Sequence, residues 1–259
     1  MRFFSYAPVD SSSPFYLEPF GPYHAAAAAV LVALGVLIVV FRKPLREPGR
    51  ERRVLRIATV IAVAMEITLH VCEYFSIPFD EFLRSVIPLE LCAITLWLAV
   101  ALCLTGNRTV FELLYFWGIG ALASLLFAND DGAGPDRFRY YQYFGTHGYT
   151  VLVIVYFAVV RGYRITLGSL AKAAAILAPL SLAVYALDLA FAAPPWEFNF
   201  MYLLQPPEVS TPLDSFGGGW AYYGAFVGLS AAMMTLAWLP WGAAALLRRW
   251  RKPRVSPAP

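Results

Sequence analysis

Seven stretches of the sequence are rich in apolar residues and nearly free of charge, and polar segments separate them. A helix needs about 20 apolar residues to cross the hydrocarbon core of a bilayer, and most of these stretches come close to that length. The pattern therefore predicts an all-α protein, a seven-helix transmembrane bundle that forms a single membrane domain over residues 1–259. The predicted spans are residues 24–41, 54–77, 85–104, 110–127, 146–160, 170–192 and 220–247.

Composition and charge agree with this class of protein, since 59% of the 259 residues are hydrophobic and 14% are charged. The basic residues are concentrated in two segments, with six between positions 42 and 53 and five after position 247. Because Lys and Arg are enriched in cytoplasmic segments, this distribution predicts an N-terminus outside and a C-terminus inside. The charged residues lie mainly in the loops and the C-terminal tail, so the net charge of +3 reflects orientation in a membrane and we expect no nucleic-acid partner.

Several ionisable or reactive side chains interrupt the apolar spans, which is costly in a membrane unless another group satisfies them. In the predicted orientation they all lie in the outer half of the bundle, and helical spacing places three of them on one face of the second span. These three are Glu66, His70 and Glu73, and the others are Glu90, Cys92, His147 and Asp188. Their convergence indicates a polar chamber. The alternative is that they only hydrogen-bond with one another and fix helix register.

Cys92 is the candidate nucleophile of this chamber. Pro88 is expected in the first turn of the third span, which places Cys92 near a helix N-terminus, where the helix dipole favours a thiolate. His147 or His70 could take the thiol proton and later protonate a leaving group. Glu90 lies two positions before Cys92, so on a regular helix the two side chains would point roughly 200° apart. We therefore expect Cys92 inside the site and leave the role of Glu90 open.

Several segments resemble the YwaF-type family of integral membrane proteins, in the same order along the chain. They are FGPYH at 20–24, PLELC at 88–92, LLYFWGIGALASLL at 113–126, FRYYQYFGTHG at 138–148 and FNFMYLLQPP at 198–207. This bacterial family is similar to a mammalian transmembrane acyltransferase that remodels ether phospholipids, and more remotely to small membrane lipid hydrolases. The resemblance implies a Cys nucleophile, a His partner and a role for an Asn, which fall on Cys92, His147 and Asn199. At the positions of Glu90 and Asp188 that family commonly has His and Asn.

These observations predict a lipid acyltransferase or acyl hydrolase in a cell membrane. The resemblance implies that this membrane is a bacterial plasma membrane. Cys92 would attack the ester carbonyl of a phospholipid or other acylated lipid, and His147 would act as base and then as acid. His70 with a neighbouring carboxylate would orient this pair, and Asn199 would donate to the oxyanion. We expect membrane lipids as partners and neither a cofactor nor a metal, and we make no prediction of the oligomeric state.

Two other functions remain open at this stage. His24, His70 and His147 are all expected on the outer side, so with a carboxylate they could hold zinc for hydrolysis of a lipid ester or amide. Buried carboxylates and histidines also mark ion paths, which would suit a transporter or a proton-coupled carrier. The long outer segment 193–219 could cover the chamber as a lid or serve only as a connector.

Overall fold

A computed structural model of the chain describes residues 2–7, 9–128, 132–206 and 215–250. Within these residues all regular structure is helical, with nine α-helices and a few short 3-10 turns, so the predicted all-α class is confirmed. The α-helices are α1 (Pro22–Val40), α2 (Pro48–Ser76), α3 (Phe79–Val86), α4 (Leu91–Thr105), α5 (Arg108–Trp117), α6 (Ile119–Leu126), α7 (Phe138–Val159), α8 (Leu167–Ala190) and α9 (Gly219–Trp250).

Five helical segments are long and apolar enough to cross a membrane, judged by length and composition. They are α1, α2, the α5–α6 pair, α8 and α9, and the bent α3–α4 pair makes a sixth if it is counted as one span. α7 has 22 residues, but its first half carries Arg139, Gln142 and His147 and is more polar than these segments. The chain is thus a multi-pass membrane protein with five or six candidate spans among the described residues.

α7 lies at the centre of the bundle, where α1, α2, α4 and α6 pack around it. Its later turns contribute Tyr156 and Phe157 to the main apolar core, and its first turns carry polar side chains that neighbouring helices bury. The predicted fifth span begins at position 146, whereas the helix that contains it, α7, begins earlier, at Phe138. Polar residues in membrane proteins face the bundle interior, so an enclosed helix can begin with a sequence that looks like a loop.

The predicted third span is broken into two helices. α3 ends at Val86 and α4 begins at Leu91, with a bend of 48° between them. Pro88 lies in this break rather than in a first helical turn, because proline has no N–H and disfavours helical backbone in the residue before it. Ile87 is accordingly extended, with φ −72° and ψ 113°. Glu90 becomes the N-cap of α4, with φ −64° and ψ 137°.

The segment after α8 folds back onto the bundle. Its buried apolar side chains pack against α8 and against the break between α3 and α4, and they belong to Phe198, Phe200, Met201 and Leu203. Met201 has a φ of 55°, which is uncommon for a residue other than glycine. Residues 207–214 of the predicted lid lie outside the described residues. Within the described part of that segment, packing is concentrated at these buried side chains, whereas residues 193–195 and 215–219 are exposed.

Candidate functional site

A partly polar cavity of about 170 Å³ lies where α2, α4 and α7 meet. Its lining comprises Glu66 from α2, then Glu90, Cys92, Ala93 and Leu96 around the start of α4, and Gln142, Thr146, His147 and Thr150 from α7. Four of the residues predicted for the site are therefore brought together: Cys92, His147, Glu66 and Glu90. Four others do not line the cavity: His70, Glu73, Asp188 and Asn199.

Cys92 is the second residue of α4, so its thiol lies near a helix N-terminus, as the sequence predicts. The helix has no side-chain cap at this end, and the backbone N–H groups of a first turn have no acceptor within their own helix. The Cys92 Sγ lies 3.7 Å from Ser124 Oγ. Ser124 Oγ also lies 3.1 Å from the Gly120 carbonyl, to which it can donate, and either the thiol or the hydroxyl can be the donor in the Cys92–Ser124 pair.

His147 enters the cavity from α7. Its Nδ1 is 2.8 Å from the backbone carbonyl of Tyr143, one turn earlier. A carbonyl oxygen can only accept, so Nδ1 carries a proton, and in the neutral ring Nε2 is then the nitrogen that can take one up. The imidazole also packs against the Tyr143 ring, with centroids 4.6 Å apart. The backbone and this neighbouring ring thus hold the imidazole in the tautomer that suits a general base.

Glu90 and Cys92 line the same cavity, which corrects the expectation that they point in opposite directions. That expectation assumed one regular helix, but Glu90 precedes α4 and has an extended backbone, so helical periodicity does not relate the two side chains. The Glu90 carboxylate accepts a hydrogen bond from the Met201 backbone N–H at 2.9 Å. It therefore joins the cavity to the segment that follows α8.

A chain of polar contacts leads from the cavity along α2. Glu66 Oε2 accepts a hydrogen bond from Gln142 Nε2 at 2.7 Å, and Glu66 Oε1 is 3.6 Å from His70 Nε2. His70 Nδ1 is 2.8 Å from Glu73 Oε2, which also accepts from the Ser85 hydroxyl at 3.0 Å. The predicted common face of Glu66, His70 and Glu73 is confirmed by these contacts. Of the three, only Glu66 reaches the cavity.

Three polar residues of the cavity are missing from the sequence prediction: Gln142, Thr146 and Thr150. They follow one another at intervals of four on α7, so they share one helical face. The two threonine hydroxyls also donate to backbone carbonyls one turn earlier, at 2.9 and 3.1 Å. A span that begins at 146 excludes Gln142, and the polar face is then too short to recognise.

Asp188 and Asn199 lie outside the cavity lining. Asp188 is completely buried, and its carboxylate interacts with the backbone N–H of Phe200 in the segment after α8. The Asn199 carbonyl oxygen accepts from the backbone N–H groups of Leu204 and Gln205 at 3.0 and 3.3 Å, and its NH₂ group donates to the Gln205 carbonyl at 3.1 Å. Both ends of the Asn199 amide are thus used inside the loop, and a role as oxyanion donor stays a prediction.

The zinc alternative has no support from the placement of side chains. His24 Nδ1 accepts from the Phe20 N–H, and its Nε2 donates to the Leu125 carbonyl, each at 2.8 Å. His24 therefore ties the start of α1 to the end of α6. Among the residues that the structure describes, no three His, Cys, Asp or Glu side chains are arranged to hold a metal ion.

Comparison with known proteins finds one relationship. The model of the TMEM164 family matches residues 19–239, which include every residue that lines the cavity. No curated protein and no solved structure matches the chain. The match agrees with the multi-pass membrane class, and it does not by itself confirm the resemblance to YwaF-type proteins.

Proposed function

This chain belongs to the TMEM164 family, and we propose that it is a membrane enzyme that transfers or hydrolyses the acyl groups of lipids. The observation that carries the proposal is the cavity between α2, α4 and α7, which Cys92 and His147 line together with two carboxyl groups. A thiol and an imidazole that line one cavity are the groups that acyl transfer through a thioester needs. The resemblance to YwaF-type proteins, and the bacterial plasma membrane that it implies, belong to the same proposal.

The proposal includes seven membrane crossings with the N-terminus outside. α7 is the crossing that is not among the candidate spans judged by length and composition, and its 22 residues are long enough for a core of ~30 Å at ~1.5 Å per residue. The α3–α4 and α5–α6 pairs each cross once, and the basic segment 42–53 lies inside. The cavity then lies in the outer half, since Cys92 is near the outer end of α4. A membrane-impermeant thiol reagent should label Ser12→Cys in intact cells. Labelling of Arg52→Cys but not of Ser12→Cys would indicate the opposite topology.

In the first step, the ester carbonyl of a lipid meets the Cys92 sulfur. His147 Nε2 takes up the thiol proton as Sγ attacks the carbonyl carbon, and the tetrahedral intermediate collapses by breaking the bond to the lipid alkoxy oxygen. His147 returns the proton to that oxygen, so a lysolipid leaves and the acyl group stays on Cys92 as a thioester. In the second step, an acceptor hydroxyl or water gives its proton to His147 and attacks the thioester. Collapse releases the product, and the same proton restores the thiol.

The start of α4 supplies the oxyanion donors in this mechanism. Its first-turn N–H groups lack a side-chain cap, and they form the positive end of the helix dipole. Because Cys92 is the second residue of the helix, the oxygen of a carbonyl group whose carbon is bonded to the Cys92 sulfur lies close to these groups. They take the role predicted for Asn199, whose amide is hydrogen-bonded within the loop.

Glu66 acts as a positioning residue rather than a catalytic one. It lies near enough to His147 for an electrostatic interaction, so its negative charge stabilises the imidazolium that forms when the thiol proton is taken up. His70 and Glu73 extend this contact along α2 and hold the Glu66 carboxylate in place. The orienting role predicted for His70 and its carboxylates is retained in this form.

Replacing the sulfur tests the mechanism directly. The full-length protein is placed in nanodiscs with a phospholipid labelled in its acyl chain, and transfer is followed by mass spectrometry. Cys92→Ala should abolish turnover and the hydroxylamine-sensitive acylation of the chain. Cys72→Ala and Cys103→Ala remove a thiol outside the cavity lining and should retain both. Full activity of a folded Cys92→Ala protein would end the proposal.

The second product distinguishes transfer from hydrolysis. With a lysophospholipid in the membrane, a transferase moves the label to a new phospholipid, whereas a hydrolase releases labelled fatty acid. Both outcomes pass through the same acyl-Cys92 intermediate. Release of fatty acid without acylation of Cys92, in a protein that retains bound zinc, would favour the metal-dependent alternative.

A further inference from the structure

α1 and α2 both pack against α7 but leave a wide groove between them. The groove has a volume of about 950 Å³, and nearly all of its lining is apolar. Small residues make this room, including Ala27 on α1, Ala58 on α2 and Gly145 on α7. Neighbouring residues of α2 and α7 line either the groove or the cavity: Met65 faces the groove and Glu66 the cavity. The groove is therefore a separate site from the one proposed for acyl transfer.

The groove follows most of α1. Its lining extends from Ala26 to Phe41, which is about 22 Å at ~1.5 Å per residue. That distance is most of the ~30 Å hydrocarbon core of a bilayer, so the shape suits an extended acyl chain better than a compact solute. α1 itself is little covered by protein, because His24 is its one buried residue. An occupant of the groove would thus provide much of the packing that α1 lacks.

The two ends of the groove differ in charge. Arg50 lines one end, within the segment 42–53 that carries six basic and two acidic residues, and Tyr140 lines the other. The Arg50 guanidinium is 3.3 Å from Glu47, and both side chains are more than half exposed. An exposed ion pair contributes little stability, so a phosphate can displace Glu47 or share the guanidinium with it.

We propose that this groove binds an anionic phospholipid, with its phosphate at Arg50 and one acyl chain lying between α1 and α2 on the surface of α7. The apolar length of the groove accommodates the chain, and the positive charge at one end selects the head group. An Arg guanidinium can bind phosphate through two parallel hydrogen bonds. Because the lipid contacts three helices of the folded state, it stabilises that state and attaches α1 to the rest of the bundle.

Matched charge variants test where the head group binds. Binding of phosphatidylglycerol to the purified full-length protein is measured by native mass spectrometry and by the rise in Tm, with phosphatidylcholine as the comparison lipid. Arg50→Gln should weaken phosphatidylglycerol binding about fivefold, the loss expected for one basic residue near an anionic lipid. Arg52→Gln removes the same charge from the same helix, at a residue that does not line the groove, and should leave binding unchanged. Equal losses in both variants would mean general attraction to the basic segment and would overturn the proposal.

Matched volume variants test where the acyl chain lies. Ala58→Trp fills the groove and should abolish the lipid-dependent rise in Tm, whereas Ala64→Trp, on the exposed face of the same helix outside the groove, should retain it. Should Ala58→Trp fail to fold, phosphatidylglycerol with a diazirine in its acyl chain is cross-linked to the wild-type protein. Adducts on the groove faces of α1, α2 and α7 support the site. Adducts spread over α8 and α9, or cross-links that place a second copy of the chain in the groove, would overturn it.

The lipid site and the catalytic proposal fail independently. Cys92→Ala should bind phosphatidylglycerol as the wild type does, because Cys92 lies on the other side of the α2–α7 contact. Loss of acyl transfer with retained lipid binding in this variant supports both proposals. Loss of lipid binding in a folded Cys92→Ala protein would place the lipid in the catalytic cavity and would refute the groove site.

Discussion

The hydrogen bond between Gln142 and Glu66 joins α7 to α2 at the wall of the cavity, and Gln142→Leu removes its donor with little change of volume. The donor and acceptor atoms are 2.7 Å apart, and each residue is only 8% exposed. Replacing Gln142 therefore leaves the Glu66 carboxylate buried without its shortest hydrogen bond. We expect the variant to unfold more readily and to transfer acyl groups more slowly.

The size of the effect follows from the environment of this bond. Hydrogen bonds between membrane helices contribute ~0.6 kcal/mol on average and up to ~1.7 kcal/mol, whereas bonds to charged groups in soluble proteins contribute ~1.5–3 kcal/mol. A short, buried bond to a carboxylate should lie at the upper end of the membrane range. The expected loss is about 1–2 kcal/mol, which is a factor of roughly 5–30 in the unfolding equilibrium.

A double-mutant cycle measures this coupling without assuming what each residue contributes alone. The free energy of unfolding is determined in mixed micelles for the wild type, Gln142→Leu, Glu66→Leu and the double variant. The coupling energy should reach ~1 kcal/mol or more, while Gln205→Leu, at an exposed position of the segment after α8, serves as a control with little effect. A coupling within ~0.3 kcal/mol of zero means that the two residues act independently, and it would refute the arrangement of the cavity wall described above.

Three further predictions concern the supports of the site. Asn199→Ala should speed proteolysis of the segment after α8 about fivefold, because the variant loses ~1 kcal/mol of hydrogen bonding within the loop. Loss of acyl transfer with unchanged proteolysis of the loop would instead favour the oxyanion role of Asn199. Gly134→Ala should destabilise the protein by about 2–3 kcal/mol in thermal unfolding, because an added Cβ would lie 1.6 Å from the Phe15 carbonyl oxygen, whereas Gly49→Ala meets no atom within 4 Å and should be nearly neutral. His24→Leu should lower stability by about 1–3 kcal/mol yet leave the turnover of the folded protein unchanged, and loss of turnover alone would reopen a chemical role for this histidine.

The sequence by itself determined the class of protein and one face of the site. Length and hydropathy suffice for the first, because a membrane crossing requires only enough consecutive apolar residues for a helix to satisfy its own backbone. Spacing suffices for the second: side chains three and four positions apart meet on any regular helix. The contacts of His70 with Glu66 and Glu73 therefore follow from local order alone.

Tertiary structure decided which other side chains line the cavity, because helical periodicity does not determine their positions. Glu90 lines the same cavity as Cys92 because the helical structure is interrupted around Pro88 and the backbone of Glu90 is extended before α4 begins. Gln142 belongs to the cavity because α7 is surrounded by other helices, so its polar first half is buried by protein and has no need of an apolar surface. Where the chain leaves a regular helix, or where a neighbour rather than lipid covers it, the direction of a side chain depends on residues distant in sequence, and hydropathy and spacing carry no information about them.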